Sequence, residues 1–371
     1  VESQKNLYLF FSFGIALKDW QKLGILQREI KPYEELTKRG WKVSFITYGG
    51  EADLHILNGP IEIVPLFKNH LPKKRWSMFL LSLLWAVSHY QFFKKNSTFK
   101  SNQMFGSWLP LILGKLCGGR VVIRCGYEQY KNKLAADQNF LRLGFWYWLS
   151  KFSYHFADKI ILTSKESKEF VINKFNVQSK KIEVHSNYID HQLFTQSDRP
   201  QNGRSITVGR LDTEKNLVHL IEACHQAQLG LDIVGEGPLK TELQKLVKQI
   251  GADVAFLGKI DNDKLPQILN SYQYFFLVSL TEGNPKALLE AMSCSLVCIG
   301  SKNSGIKDII QNEKTGFLTG FSKEEIYSTI KTIRPLDNQA IGLAAREYVI
   351  ESCGLQSYLD FLEKIYVLNA S

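Results

Sequence analysis

The sequence predicts an α/β protein of parallel sheets and crossover helices, arranged as two domains. Three observations lead there. Between residues 205 and 318, five short β-branched or aromatic runs (S-I-T-V, L-D-I-V, V-A-F-L, Y-F-F-L and L-V-C-I) each end at Gly, Ser or Thr and lead into a helix-forming segment, the alternation expected of a parallel sheet. The first fifty residues read as strand, loop, helix, glycine, strand, which is one βαβ unit. At 371 residues the chain exceeds one typical core. Its 44% hydrophobic and 22% charged residues are those of a globular protein with no disordered tail.

In chain order, residues 7–13 form the first expected strand, and a helix over 24–39 closes on Gly40 before a strand at 43–48. Gly24 would then start that helix, where bare backbone N–H groups can face a phosphate; a tight turn would need the same glycine. A strand is expected at 61–66 and a helix at 75–95, with Lys73, Lys74 and Arg75 before it and Lys94 and Lys95 at its end. A strand at 121–126 ends in R-C-G-Y-E. Residues 140–156 are crowded with aromatics, interleaved with Arg142 and Lys151; packing into the core is preferred to facing a membrane. Strands at 160–164 and 182–187 complete the first domain, set at residues 1–195. Residues 190–204 read as an exposed linker. The second domain is set at 203–352, and the amphipathic tail at 353–371 should form a helix that docks on one of the two.

Net charge is +10, unevenly placed: residues 1–199 hold 29 Lys/Arg against 16 Asp/Glu, and residues 200–371 hold 17 against 20. A first half at +13 points to an anionic partner. No arginine-rich arm, zinc-finger spacing or RNP-like motif supports nucleic acid, which leaves an anionic membrane surface. The six scattered cysteines lack ligand spacing and read as reduced, buried residues of a cytosolic protein. The polar N-terminus shows no signal peptide. The most apolar run, 78–93, is broken by Ser82, Ser88, His89 and Tyr90 and falls short of a membrane span. The expected location is the cytoplasm, with peripheral attachment to the cytoplasmic face of a membrane as its extension.

The chemistry-bearing residues cluster in the second half. In G-R-L-D-T-E-K-N, Arg210 leaves a strand end and Lys215 follows at a turn, two cations suited to a diphosphate on which charge grows as a bond breaks. Alone they would be surface cations. In T-E-G-N-P-K-A-L-L-E, however, Glu282 sits in a glycine loop after an apolar strand and Glu290 lies in the next helix, so two carboxylates can accept hydrogen bonds from one ligand's hydroxyls. Ligands of parallel sheets bind beyond the strand ends, where all four residues fall. The D-N-D at 261–263 is read as a turn and helix cap rather than a metal site, and G-E-G-P at 235–238 as a strand-end turn lining the crevice.

Together V-G-R-L-D-T-E-K-N, V-G-E-G-P, F-L-G-K-I, T-E-G-N-P-K-A-L-L-E-A-M and the G-I-K-D-I-I and T-G-F-L blocks resemble, in order, the retaining glycosyltransferases of family 4. The first domain resembles them more loosely, through Gly24 and S-N-Y-I-D at 186–190. The resemblance implies the GT-B architecture of two facing Rossmann-like domains. It also implies a hexosyltransferase that moves a sugar from a nucleotide-sugar to an acceptor hydroxyl, either a glycan or a lipid-linked one. In that reading Arg210 and Lys215 hold the diphosphate, Glu282 contacts the donor sugar and Glu290 binds the ribose. Backbone groups of Gly283, Asn284, Pro285 and Lys286 assist, the main chain at Ile260 meets the base, and Gly24 approaches the phosphates. No metal or other cofactor is implied. Departures are Arg124-Cys125-Gly126 where many members carry a histidine, Leu23-Gly24 for the usual glycine pair, and Ser295 at a glycine position. The rivals are an epimerase, hydrolase or phosphorylase on the same fold, or an inactive nucleotide-sugar-binding module.

Overall fold

A computed structural model describes residues 5–68, 71–126, 128–136, 139–197, 203–335 and 338–367, the side chains of 129, 132, 135 and 136 excepted. The chain divides into two compact units, one of residues 1–185 with 359–371 and the other of residues 186–358.

The first unit is built on seven strands: β1 (Lys5–Phe10), β2 (Trp41–Thr47), β3 (Glu62–Pro65), β4 (Thr98–Ser101), β5 (Arg120–Cys125), β6 (Lys159–Leu162) and β7 (Ile182–Val184). They lie in the order β3-β2-β1-β4-β5-β6-β7, every pair parallel. Helices cover such sheets on both faces, so burial along a strand need not alternate; five of the six residues of β1 and all four of β4 are buried. Strand order reverses between β1 and β4, the switch point at which ligands of such sheets collect.

The second unit repeats this plan with β8 (Ser205–Val208), β9 (Leu231–Val234), β10 (Val254–Gly258), β11 (Tyr274–Leu277), β12 (Val297–Ser301) and β13 (Phe317–Thr319). All are parallel, in the order β10-β9-β8-β11-β12-β13, and the switch point lies between β8 and β11. Asp232 is the acidic exception inside β9. Arg204 at 2.7 Å and the Tyr272 hydroxyl at 2.5 Å satisfy its carboxylate, without which burial would be costly.

The division at 185/186 comes earlier than the linker expected at 190–204, because the chain after His185 packs on the second unit. Phe194 is buried, its carbonyl accepts from Ser293 Oγ at 2.6 Å, and Ser197 N donates to Asn270 Oδ1 at 2.9 Å. Residues 198–202 of that linker lie outside the described residues. The tail forms a helix, Leu355–Tyr366. Its residues from Leu359 onward join the first unit, where Glu363 accepts from Arg39 at 2.6 Å and from Trp41 Nε1 at 2.9 Å.

In the second unit β13 adds a sixth strand to the five expected; the other local differences from the sequence reading concern the first unit. The helix expected over 24–39 is α2 (Leu26–Lys38), and a short helix, α1 (Leu17–Lys22), precedes it where a loop was expected. Gly24 sits between them at φ +68° and donates its N–H to the Gln21 carbonyl at 3.0 Å. It closes α1 as a C-terminal glycine does, so the amide expected to be bare is used within the turn. The helix expected over 75–95 is α3 (Arg75–His89); α4 (Trp108–Leu116) follows β4, α5 spans Gln129–Ala136, and α6 spans Phe140–Phe156. The core reading of α6 holds for one face: Ser150, Ser153 and Tyr154 are buried and Leu143, Trp146, Tyr147 and Leu149 pack against the core, while Leu141, Phe145, Trp148, Phe152 and Phe156 form an exposed stripe on the other. Among the described residues, no helix is long and apolar enough to cross a membrane.

Candidate active site

The loops after β8 and β11 meet at the switch point of the second sheet. Leu211 anchors the first loop: it is buried, and its N–H donates to the Glu236 carbonyl at 3.1 Å. A single 3-10 turn, Thr213–Lys215, follows, and Asn216 in the left-handed region (φ 55°) turns the chain into the helix Leu217–Gln226. The turn sends Lys215 back across the strand end, over Gly209. A Cβ at Gly209 would lie 3.3 Å from Lys215 Cε, so the glycine makes room for the lysine stem.

The second loop is fixed from three sides. Leu280 N–H donates to the Glu214 carbonyl at 2.7 Å, tying the two loops together. Ser301 Oγ and Asn303 Nδ2 both donate to the Ser279 carbonyl, at 2.5 and 2.9 Å. The chain at Glu282 and Gly283 rests on Gly305, where any side chain would collide with both carbonyls. Glu282 thus reaches Lys215, with which it forms an ion pair, and accepts from Ser279 Oγ at 2.8 Å. The two charged side chains are only 21% and 12% exposed. Arg210, by contrast, is 71% exposed, with Nε 3.6 Å from Asp212 Oδ2.

Glu290 belongs to the helix Lys286–Ser293 and is 2% exposed. Its Oε1 accepts from Asn262 Nδ2 at 3.0 Å. Asn262 is the middle residue of the D-N-D stretch, whose Asp261 carbonyl accepts from the Lys264 and Leu265 amides as a turn leading into the helix Leu265–Leu269. The structure therefore brings Glu290 to the loop that carries Ile260. The sequence offered no sign that Asn262 would orient Glu290. Among the described residues, no cluster of three or more His, Cys, Asp or Glu side chains could hold a metal ion.

Asn284 and Lys286 have a further task that sequence reasoning missed. Asn284 Oδ1 accepts from Asn187 N at 2.7 Å, its carbonyl accepts from Asn187 Nδ2 at 2.7 Å, and Lys286 Nζ lies 5.6 Å from the Tyr188 ring centre. The S-N-Y-I-D segment and the T-E-G-N-P-K loop, 97 residues apart where Asn187 meets Asn284, are one joint. Gly24 belongs to the other unit.

The G-E-G-P turn closes the remaining wall. Gly235 has φ +140°, and a Cβ there would run into the Gly209 carbonyl oxygen. Gly235→Ala should therefore lower stability by about 3 kcal/mol, from overpacking and backbone strain together. Chemical denaturation is the check, and a loss near zero would mean the turn does not press on Gly209.

Known proteins align with this architecture. Residues 33–193 match the model described as Glycosyltransferase Family 4, and residues 193–334 match that described as Glycosyl transferases group 1. A Campylobacter jejuni GalNAc-alpha-(1->4)-GalNAc-alpha-(1->3)-diNAcBac-PP-undecaprenol alpha-1,4-N-acetyl-D-galactosaminyltransferase is 28% identical over 196 residues, 51% of this chain and 54% of its own. The same organism's N-acetylgalactosamine-N,N'-diacetylbacillosaminyl-diphospho-undecaprenol 4-alpha-N-acetylgalactosaminyltransferase is 32% identical over 188 residues, 48% of this chain and 51% of its own. The chain spans about half the length of the curated relatives it matches. Anabaena Alr3699/HepE, solved in complex with UDP, superposes with a TM-score of 0.75 over 97% of this chain and 98% of its own, at 18% identity.

Proposed function

Since the chain is a glycosyltransferase of the family 4 type with GT-B architecture, we propose that it moves a hexosyl unit from a nucleotide-diphosphate sugar to a hydroxyl of a lipid-linked glycan, with retention at the anomeric carbon. The observation that carries this reading is the Lys215–Glu282 pair held at the β8/β11 switch point, with Arg210 beside it in solvent. Lys215 has three N–H bonds. One serves Glu282, and the others are available to diphosphate oxygens. Arg210 brings a second cation from an exposed position, and no reorganisation of buried groups is required for it to engage.

The reacting bond is that between the anomeric carbon and the diphosphate oxygen. As it breaks, the electron pair leaves with the diphosphate, and preorganised cations lower the barrier by stabilising the charge that develops there. The acceptor hydroxyl attacks from the same face, and its proton passes to the departing phosphate oxygen. Glu282 accepts from the sugar hydroxyls and Glu290 from the ribose. Ile260 supplies main-chain contact to the base, and the first-turn amides of the helix Lys286–Ser293 face the donor. Gly24 is left out of this assignment because its amide is spent on Gln21.

The lipid-linked acceptor is supported by the diphospho-undecaprenol substrates after which both relatives are named. It is supported independently by the first unit, whose α3 exposes Trp76, Leu80, Leu84 and Val87 and whose α6 exposes its aromatic stripe, beside exposed Lys73, Lys74, Arg75, Lys94 and Lys95. Apolar stripes next to basic clusters suit the surface of an anionic membrane. Of the tryptophans and phenylalanines between 76 and 93, Phe93 is core, Phe79 and Trp85 pack partly against it, and Trp76 and Phe92 are exposed.

Incubation with a panel of nucleotide-sugars and a lipid diphosphate-linked saccharide tests the reading. The expected product is the acceptor enlarged by one sugar, with the donor's anomeric configuration in its NMR coupling. Consumption of donor without acceptor, or inversion, would contradict it. Transfer should also survive EDTA, because the two cations can neutralise the diphosphate themselves; complete loss restored by magnesium or manganese would show that they do not.

A further inference from the structure

Resting on the transfer reading above, we propose that the first unit holds the lipid chain of its acceptor in an apolar pocket at the β1/β4 switch point, with the lipid phosphate bound by Arg75 at the start of α3. The pocket has a volume of about 320 Å³, within the range of roughly 300–1,000 Å³ usual for small-ligand sites. Phe13 from the loop after β1 and Phe105 from the loop after β4 line it, joined by a backbone hydrogen bond from Phe13 N to the Phe105 carbonyl at 3.0 Å. Trp108, Phe79 and Phe145 complete its aromatic lining. The place where a parallel sheet collects its ligand is here lined by rings, so the ligand it suits is a hydrocarbon.

Arg75 is the charged residue in the lining. Its guanidinium lies 5.4 Å from the Phe13 ring centre and 5.9 Å from that of Phe105. No carboxylate pairs with it, or with Lys73 or Lys74, among the described residues. The first turn of α3 holds no acidic residue and no side chain caps it. Three cations at the positive end of a fifteen-residue helix repel its dipole, an arrangement that an anion relieves. An apolar pocket whose rim demands an anion fits one amphiphile: an aliphatic chain ending in a phosphate or diphosphate. The exposed stripes of α3 and α6 beside it would let such a chain pass in from a bilayer.

The test is calorimetry on the full chain with farnesyl phosphate below its micelle concentration, against farnesol and inorganic phosphate. Farnesyl phosphate should bind, farnesol about tenfold more weakly, and inorganic phosphate not measurably, since a charge-assisted contact is worth about that factor. Arg75→Gln should reduce the farnesyl phosphate affinity about tenfold and leave farnesol unchanged. Leu149→Trp, which fills the pocket, should abolish both. Arg75 is exposed, so its variant folds even if the Leu149 variant does not. Absence of farnesyl phosphate binding, or binding unchanged by Arg75→Gln, would overturn the proposal. Binding only to phosphatidylglycerol vesicles, with none of the monomeric probe, would overturn it as well and assign this face to the membrane. Nucleoside diphosphate titrated into the same samples keeps the two readings apart: nucleotide binding without lipid binding defeats the pocket alone, and lipid binding without nucleotide binding defeats its assignment to an acceptor.

Discussion

Replacing Lys215 by alanine is expected to lower sugar transfer about a hundredfold or more, the usual cost of losing one preorganised donor to a developing charge. The effect should be accompanied by a stability loss of about 1–3 kcal/mol, because Glu282 would keep only Ser279 as a partner in a site that excludes most water. Arg210→Ala should cost a similar factor in transfer and almost no stability, because that side chain is exposed. Steady-state rates and denaturation curves on both purified variants separate the roles. If both folded variants turn over near the wild-type rate, neither cation holds the diphosphate.

A division of labour between the two glutamates is the second large effect. Glu290→Gln should weaken free nucleotide binding about tenfold or more, because a charged acceptor of ribose hydroxyls becomes neutral. The change is isosteric, and the Gln carbonyl can still accept from Asn262, so the fold should survive. Glu282→Gln should leave free nucleotide binding nearly intact and impair transfer, since a sugar contact exists in the donor and not in the free nucleotide. Calorimetry with the nucleoside diphosphate decides; equal weakening by both changes would contradict the assignment.

Five of the six strands of the second sheet were legible because they read as largely apolar runs, Asp232 aside, followed by glycine or serine; β13, three residues long, was not. Nor was β4. It is four residues long and contains Lys100, which is 0% exposed and donates to the Tyr33 hydroxyl at 2.6 Å. Burial drives its pKa well below the usual lysine range, a state that a sequence pattern reports only as a charge in a loop. The same holds for Glu128, buried against Ser150 and Tyr154, with its pKa raised by burial. Missing β4 hid the switch point of the first sheet, and with it the meeting of Phe13 and Phe105. The exposed face of α6 was missed for a different reason: aromatic density says nothing about which side of a helix has a neighbour.

The site residues Arg210, Lys215, Glu282 and Glu290 were named from their position at strand ends, which a parallel sheet dictates. Asn262 and the joint between Asn284 and Asn187 were not, because both depend on contacts between segments distant in sequence. One titration tests the central claim most directly: uridine, guanosine and adenosine diphosphates into the wild-type chain and into Lys215→Ala. The account predicts that at least one binds the wild type, and that the variant binds it about tenfold more weakly or worse. Binding of none of them, or equal binding by both proteins, would contradict it.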